Sequence, residues 1–438
     1  MEPLRNSDIR TAINNSINAE LLKIVSDPPD WIKELPLNDD RSKPYFLTDH
    51  LEPIKSFLNA TTDSVRLVRA SRAARKILAV HELDDLEDLR SSVQASELFR
   101  AISYEKQTDH SAHTLYLYLL GIYLFLSCKP IREGIATFLK EKDPSKLVIR
   151  FLFQWSFVSL LHDIGYVFHG RSKNEIRAVD RMFRPSTITR YMGSASSALK
   201  QRVSRFISKM EIKPFEPIQN PEDMLTLLRN IPWGKVATFR DDIFESFQDK
   251  RLDNDQITVD ALETYAYQVA SSGYYGISEG TVDHAVASGL FLFRYSTFWY
   301  YLAREHGYEE IFASYYDGGY PEKDVTAACF AAAAHNVMGV HAKGIKPLVF
   351  ESNPIMYLGI LCDELQKWDR FPAGTEYLAN LEAFEQRCTD SERITVTGIW
   401  DGTRVSFKFS EAKLAEKVIE SLERLESPSK FVEVKSKS

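Results

Sequence analysis

The chain is poor in the features that would settle its class at once. Its four cysteines, Cys128, Cys329, Cys362 and Cys388, are widely separated, and no two stand at C-x2-C spacing. The spacing does not suit a zinc knuckle, and a reduced, cytoplasmic setting is expected. The opening residues, MEPLRNSDIR, lack a basic segment followed by an apolar stretch, so no secretory signal is expected. Long hydrophobic runs are missing as well. The longest, Leu115 to Cys128, is too short and too rich in tyrosine to span a bilayer and predicts a core helix, so no membrane association is expected. Positive charge is in deficit overall: 54 Lys and Arg against 61 Asp and Glu give a formal net charge of −7, which speaks against a generic nucleic-acid coat protein. No internal repeat is present.

What is there is apolar and helical in pattern. At 438 residues and 44% hydrophobic, the chain can bury a large core, as one large domain with additions or as two to three domains. Residues 1–60 are punctuated by proline (DPPDW, ELPLN, SKPYF, LEPIK) and predict an N-terminal arm with short helices. From 61 to 375, apolar residues recur at i, i+3, i+4 and i+7, which predicts a helical body. The texture changes over 388–438. There ITVTGIW and TRVSFKF alternate around Asp401-Gly402, a hairpin signal, and Ser410 precedes the amphipathic EAKLAEKVIESLERL. The expected fold is mainly α, with a small C-terminal α+β appendage of hairpin plus helix. The tail VEVKSKS reads as disordered.

Charge is unevenly distributed. Between Arg171 and Met210 ten Lys or Arg stand against two acids, Glu175 and Asp180, a local +8 that leaves −15 for the remainder. This opens a segment, 171–275, that reads as a basic helical insertion; a solvated helix face is the plain alternative.

Ten histidines are present, and those in DHSAH (His110, His113), LLHD (His162), VDHAVASG (His284) and AAAAHN (His335) lie in or at the edge of apolar helical segments. Asp363, in LGILCDELQKWDR, has the same context. Burying so many ionisable groups is costly unless something pairs with them, and a divalent metal is the most economical partner for imidazoles and carboxylates together. Nitrogen and oxygen ligands without thiolate predict one or two ions of Mn, Fe, Mg, Co or Ni. Successive side chains on a helix diverge by about 100°, so His162 and Asp163 can share an ion only near a helix end, where Gly165 is expected to let the chain turn away.

A His, a His-Asp pair written HDIG and a distant Asp, all on helices, resemble the HD-domain metal-dependent phosphohydrolases over roughly residues 100–375. The resemblance implies an HD-domain-like helical bundle. It prefers His113 as first ligand, because Leu117, Leu120 and Gly121 stand at the family's positions after it. His113, His162, Asp163 and Asp363 would bind the first ion. Asp163, the central catalytic ligand, would bridge to a second ion held by His284 and His335, as in the two-metal branches. His110 lies one turn before His113 on the same face, where related phosphodiesterases keep a histidine that protonates the leaving group, at a spacing of three residues here rather than their four. No GYP segment is present and about 120 residues separate Asp163 from His284, so cyclic-di-GMP hydrolysis is not implied.

Each of these residues also has a plainer role open to it. The His162-Asp163 pair could cap a helix, His284 and His335 could be core histidines satisfied by Asp283 or a carbonyl, and His110 could support its neighbours rather than react. His169 reads as a surface or supporting residue.

The implied reaction is hydrolysis of a phosphate ester or anhydride by metal-activated water. Arg370, two turns beyond Asp363, with Lys343, Lys346, Arg177 and Arg181, could neutralise phosphate charge. A nucleotide or other phosphorylated small molecule is the expected substrate. The alternatives are a nuclease or phosphodiesterase acting on single-stranded nucleic acid or cyclic or linear oligonucleotides, and a metal-binding sensor or scaffold without turnover. An oligomer is compatible with this composition.

Overall fold

The computed structural model describes residues 17–35, 50–60, 63–80, 83, 86, 87, 90, 110–167, 284, 285, 288, 289, 292, 324, 327–329, 331, 332, 335, 347–366, 394–397, 404–409 and 412–436. They are mainly helical. The chain divides into two compact units, Met1–Leu160 with Pro347–Ser438, and Leu161–Lys346.

The first unit begins with short helices, α1 (17–26), α2 (Asp30–Lys33) and α3 (Leu51–Leu58), followed by α4 (Asp63–Val80). Ile17, Leu21, Ile24, Val25, Ile32 and Phe57 are buried. The short helices of this proline-punctuated region thus contribute to a core. Arg69 of α4 donates to the carbonyls of Ser56 and Asn59, closing the end of α3.

At the centre lies α5 (His110–Ser127), whose residues from Ser111 to Leu126 are all buried. A helix apolar on every side can be stable only when other elements cover it completely. One neighbour is α7 (Pro144–Leu161), which begins where Asp143 Oδ1 accepts the amide of Ser145. These two helices approach closely at Gly121. A Cβ there would fall 2.0 Å from Cζ2 of Trp155, and the Trp155 indole N–H donates to the Tyr118 carbonyl at 2.8 Å. Phe125, Phe151 and Trp155 continue the contact as a stack. Between them, α6 (Lys129–Leu139) leaves α5 at a bend of 96°. Cys128 is extended there, which breaks the helix, and Lys140 ends α6 in the left-handed conformation.

Among the described residues one helix, Pro144–Tyr166, is long and apolar enough by length and composition to cross a membrane, and the α5–α6 pair reaches that test only across its bend. The apolar window of Pro144–Tyr166 is 94% buried inside the protein, the condition of a core helix.

Helix α8 (Pro354–Leu365) starts with Asn353 accepting from the Met356 amide and with Pro354 at the first helical position. Gly359 lets it approach Val158 of α7. The C-terminal segment then packs against α8. Strands β1 (Ile394–Thr397) and β2 (Val405–Phe409) pair antiparallel with Thr397 opposite Ser406. The expected turn at Asp401 and Gly402 lies outside the described residues. Helix α9 (Ala412–Leu422) buries Ala415, Val418 and Leu422, while its N-cap candidate Ser410 is also outside them.

The tail departs from expectation. Far from disordered, Val432–Ser436 forms β3, parallel to β2 with Val432 opposite Val405 and Val434 opposite Phe407. The short segment has too few apolar residues to announce a strand alone; the exposed edge of β2 supplies its backbone partners. Tyr357 Oη donates to the Glu426 carbonyl, Arg424 pairs with Glu364 at 2.9 Å, and Phe431 packs on Phe350 and Tyr357. The appendage is thereby tied to the helix that carries Asp363.

In the second unit the chain leaves α7 through His162 and Asp163 into a 3-10 turn, Ile164–Val167. Helical residues recur within 284–292 and 324–332. The basic insertion, Arg177 and Arg181 included, lies outside the described residues.

Candidate metal centre

In the first unit, His113 and Asp363 meet. His113 Nε2 stands 3.0 Å from Asp363 Oδ1 across α5 and α8. The start of α5 is fixed by Arg90, whose guanidinium donates to the Ser111 carbonyl and the Thr114 hydroxyl while pairing with Glu87. Burial pushes the Glu87 carboxyl above its usual range, against the opposing pull of Arg90. On its other side the His113 ring meets Gln366, Nδ1 against Oε1. With the amide oxygen as acceptor, the ring proton sits on Nδ1 and the Nε2 lone pair faces Asp363.

In the second unit, three imidazoles converge on one carboxylate. His162 Nε2 lies 3.2 Å from Asp163 Oδ2, and His284 and His335 Nε2 lie 3.4 and 3.5 Å from Oδ1. The His335 ring is edge-on to both His162 and His284, with centroids 4.7 and 5.3 Å apart. One ligand atom from each of His162, Asp163 and His335 lies within 4.8 Å of the others, and all three residues are buried.

The tautomer of His335 is set by its neighbour. Its Nδ1–H donates to the Ala332 carbonyl at 2.6 Å, and a carbonyl can only accept. In the neutral ring the lone pair is therefore on Nε2, aimed at a carboxylate oxygen. Such a contact is repulsive unless a cation lies within reach or the ring takes a second proton. The donor set, imidazole nitrogen with carboxylate oxygen, fits a divalent transition ion. Cys329, on the segment before His335, adds no thiolate, since burial pushes its thiol well above the usual range.

The local chain geometry explains the HDIG glycine, and differently from the expected turning point. Gly165 sits inside the 3-10 turn, and a Cβ there would fall 1.9 Å from the His284 carbonyl oxygen and 2.7 Å from the Ser288 amide nitrogen. It provides room for the backbone of the His284 turn rather than freedom to change direction. The Gly165 N–H donates to Ser288 Oγ at 2.7 Å, and that hydroxyl donates to the His284 carbonyl at 2.8 Å. Tyr166 stacks on the His284 ring.

Thus His113 and Asp363 stand together in one unit, and His162, Asp163, His284 and His335 in the other. His110 is the first residue of α5, with its side chain outside the described set. Arg370, Lys343, Lys346, Arg177 and Arg181 are outside it too. Sequence reasoning passed over three residues. Gln366 stands three after Asp363 and Ser288 four after His284, helical spacings that were the available signal, and Tyr166 directly follows HDIG.

No family model matches the chain, and no curated protein and no solved structure matches it.

Proposed function

We propose that this protein is a metal-dependent phosphohydrolase of the HD-domain type, cleaving a phosphate ester or anhydride of a nucleotide. The observation that carries the reading is the orientation of His335. Its Nδ1 is committed to a backbone carbonyl, so its Nε2 joins those of His162 and His284 around the Asp163 carboxylate. A divalent ion satisfies all of these groups together, where one carboxylate facing three imidazoles does not. When bound, such an ion makes water a competent nucleophile at neutral pH and polarises a phosphoryl oxygen. In this reading Asp163 is the central ligand and His162, His284 and His335 bind metal beside it, while His113 and Asp363 are the further ligands that the HD resemblance implies. His110 is the candidate proton donor to the leaving group.

The basic run from Arg171 to Lys209 supports a polyanionic substrate, and only Phe183, Tyr191 and Phe206 interleave it, too few aromatics for a stacking channel. A nucleotide is therefore preferred to a single strand.

Elemental analysis of protein never exposed to chelator, with phosphate release measured over a panel of nucleotides and oligonucleotides, is the test. Bound transition metal and release from nucleotides are expected. Cleavage confined to oligonucleotides, with a steep salt dependence, would move the assignment to a nuclease. Metal without turnover would leave a sensor, and metal-free protein with full activity would remove the scheme.

A further inference from the structure

We infer that Ser288 is a positioning residue for His284, acting through its hydroxyl. The inference rests on the metal reading of His284, and it concerns a residue to which neither composition nor motif gives a role.

Ser288 is fully buried. Its side chain makes two bonds whose directions are fixed by chemistry: the Gly165 amide can only donate to it, and the His284 carbonyl can only accept from it. A serine bonding back to the carbonyl four residues earlier is common in helices and would mean nothing by itself. The difference here is the second partner, which comes from the turn after Asp163. One hydroxyl joins the backbone at 165 to the backbone at 284, although 123 residues separate Gly165 from Ser288.

The consequence reaches the imidazole because three further contacts join the same two stretches. Asp163 faces His284 Nε2, Gly165 faces the His284 carbonyl, and Tyr166 covers the His284 ring. Side chain, backbone and ring of one histidine are each met by a residue of a single four-residue stretch. The Ser288 hydroxyl is the one hydrogen-bonded link among these contacts that sets the backbone separation. Without it the buried Gly165 N–H loses this acceptor, and the hydroxyl no longer ties the backbone of one turn to that of the other. A ligand displaced by a few tenths of an ångström no longer shares an ion with Asp163 in good geometry.

The test uses the full chain, stripped of metal by chelation and titrated with Mn2+, with circular dichroism as a control on folding. Ser288→Ala is expected to lower manganese affinity on the order of 10- to 100-fold, the range for loss of a group that orients a ligand. Ser288→Thr, which keeps an Oγ, is expected to stay close to wild type. Hydrogen exchange gives a metal-free readout in which the Gly165 amide is slow in wild type and fast in Ser288→Ala. Equal manganese affinity in wild type and Ser288→Ala overturns the inference alone, as does an equal loss in Ala and Thr, which would assign the effect to volume. A fast Gly165 amide in wild type overturns it without any variant. Wild-type protein that takes up no Mn2+ overturns the metal reading, and this inference with it.

Discussion

The ring of Tyr166 lies flat against that of His284, with centroids 3.9 Å apart and planes 16° from parallel. A stack of this kind fixes the rotation of the imidazole about its Cβ–Cγ bond, and that rotation decides whether Nε2 faces Asp163. Tyr166→Phe should therefore leave metal content unchanged, while Tyr166→Leu should reduce it. Elemental analysis of the two purified variants distinguishes a stacking role from a role for the phenol.

Asp163→Ala removes the carboxylate that three imidazoles face. Bound metal and phosphate release should both fall, the latter by at least several hundredfold, on the order of the loss of a catalytic electrostatic group. The circular dichroism spectrum should change little, since α7 ends before this residue. An active variant would show the His-Asp pair to be a structural cap.

Gly165→Ala places a methyl group 1.9 Å from the His284 carbonyl oxygen, a contact that backbone must yield to relieve. Overpacking of this kind typically costs about 1–3 kcal/mol. The melting temperature should drop by a few degrees and metal content should fall with it. An unchanged melting curve would mean that the two turns are not in close contact.

Gln366→Leu removes the acceptor at His113 Nδ1, and Gln366→Glu replaces it with a stronger one of the same shape. Metal affinity should decrease in the first and be kept or raised in the second, because a carboxylate behind the ring increases the basicity of Nε2. Nitrogen-15 shifts of the His113 ring, with the proton on Nδ1 in wild type, provide the independent check.

Reversing Arg177 and Arg181 to Glu should raise KM for a polyanionic substrate more than it lowers kcat, because charges remote from the reacting atoms act mainly in uniform binding. Steady-state kinetics at two ionic strengths measure it. An unchanged KM with unchanged salt dependence would leave the run as a solvated face.

Much of the helical framework was legible because its cause is local. The run from Leu115 to Cys128 has no polar face to offer water, which is what α5 requires to be a fully covered helix. The β1–β2 pairing was equally local. What the residues did not reveal is what depends on distant partners. Strand β3 contains only two valines and makes sense only beside β2. Ser288 and Gln366 are a hydroxyl and an amide with ordinary helical spacing, and their roles appear once Gly165 and His113 are placed against them. Gly165 itself was visible as a glycine, but the reason for it, the carbonyl of His284, lies far along the chain.

The bracing of α8 by the C-terminal segment has a consequence for vectorial synthesis. Tyr357 finds its acceptor on Glu426, 69 residues later, and Glu364 its arginine on Arg424, 60 residues later. At ribosomal speeds of about 5–20 residues per second, α8 waits roughly 3–14 s for those partners. During that interval Phe350 and Tyr357 lack the ring of Phe431 that covers them in the folded protein, and the nascent chain offers an apolar patch to chaperones. Codon choice between Asp363 and Phe431 is therefore a lever on the yield of folded protein that leaves every amino acid unchanged.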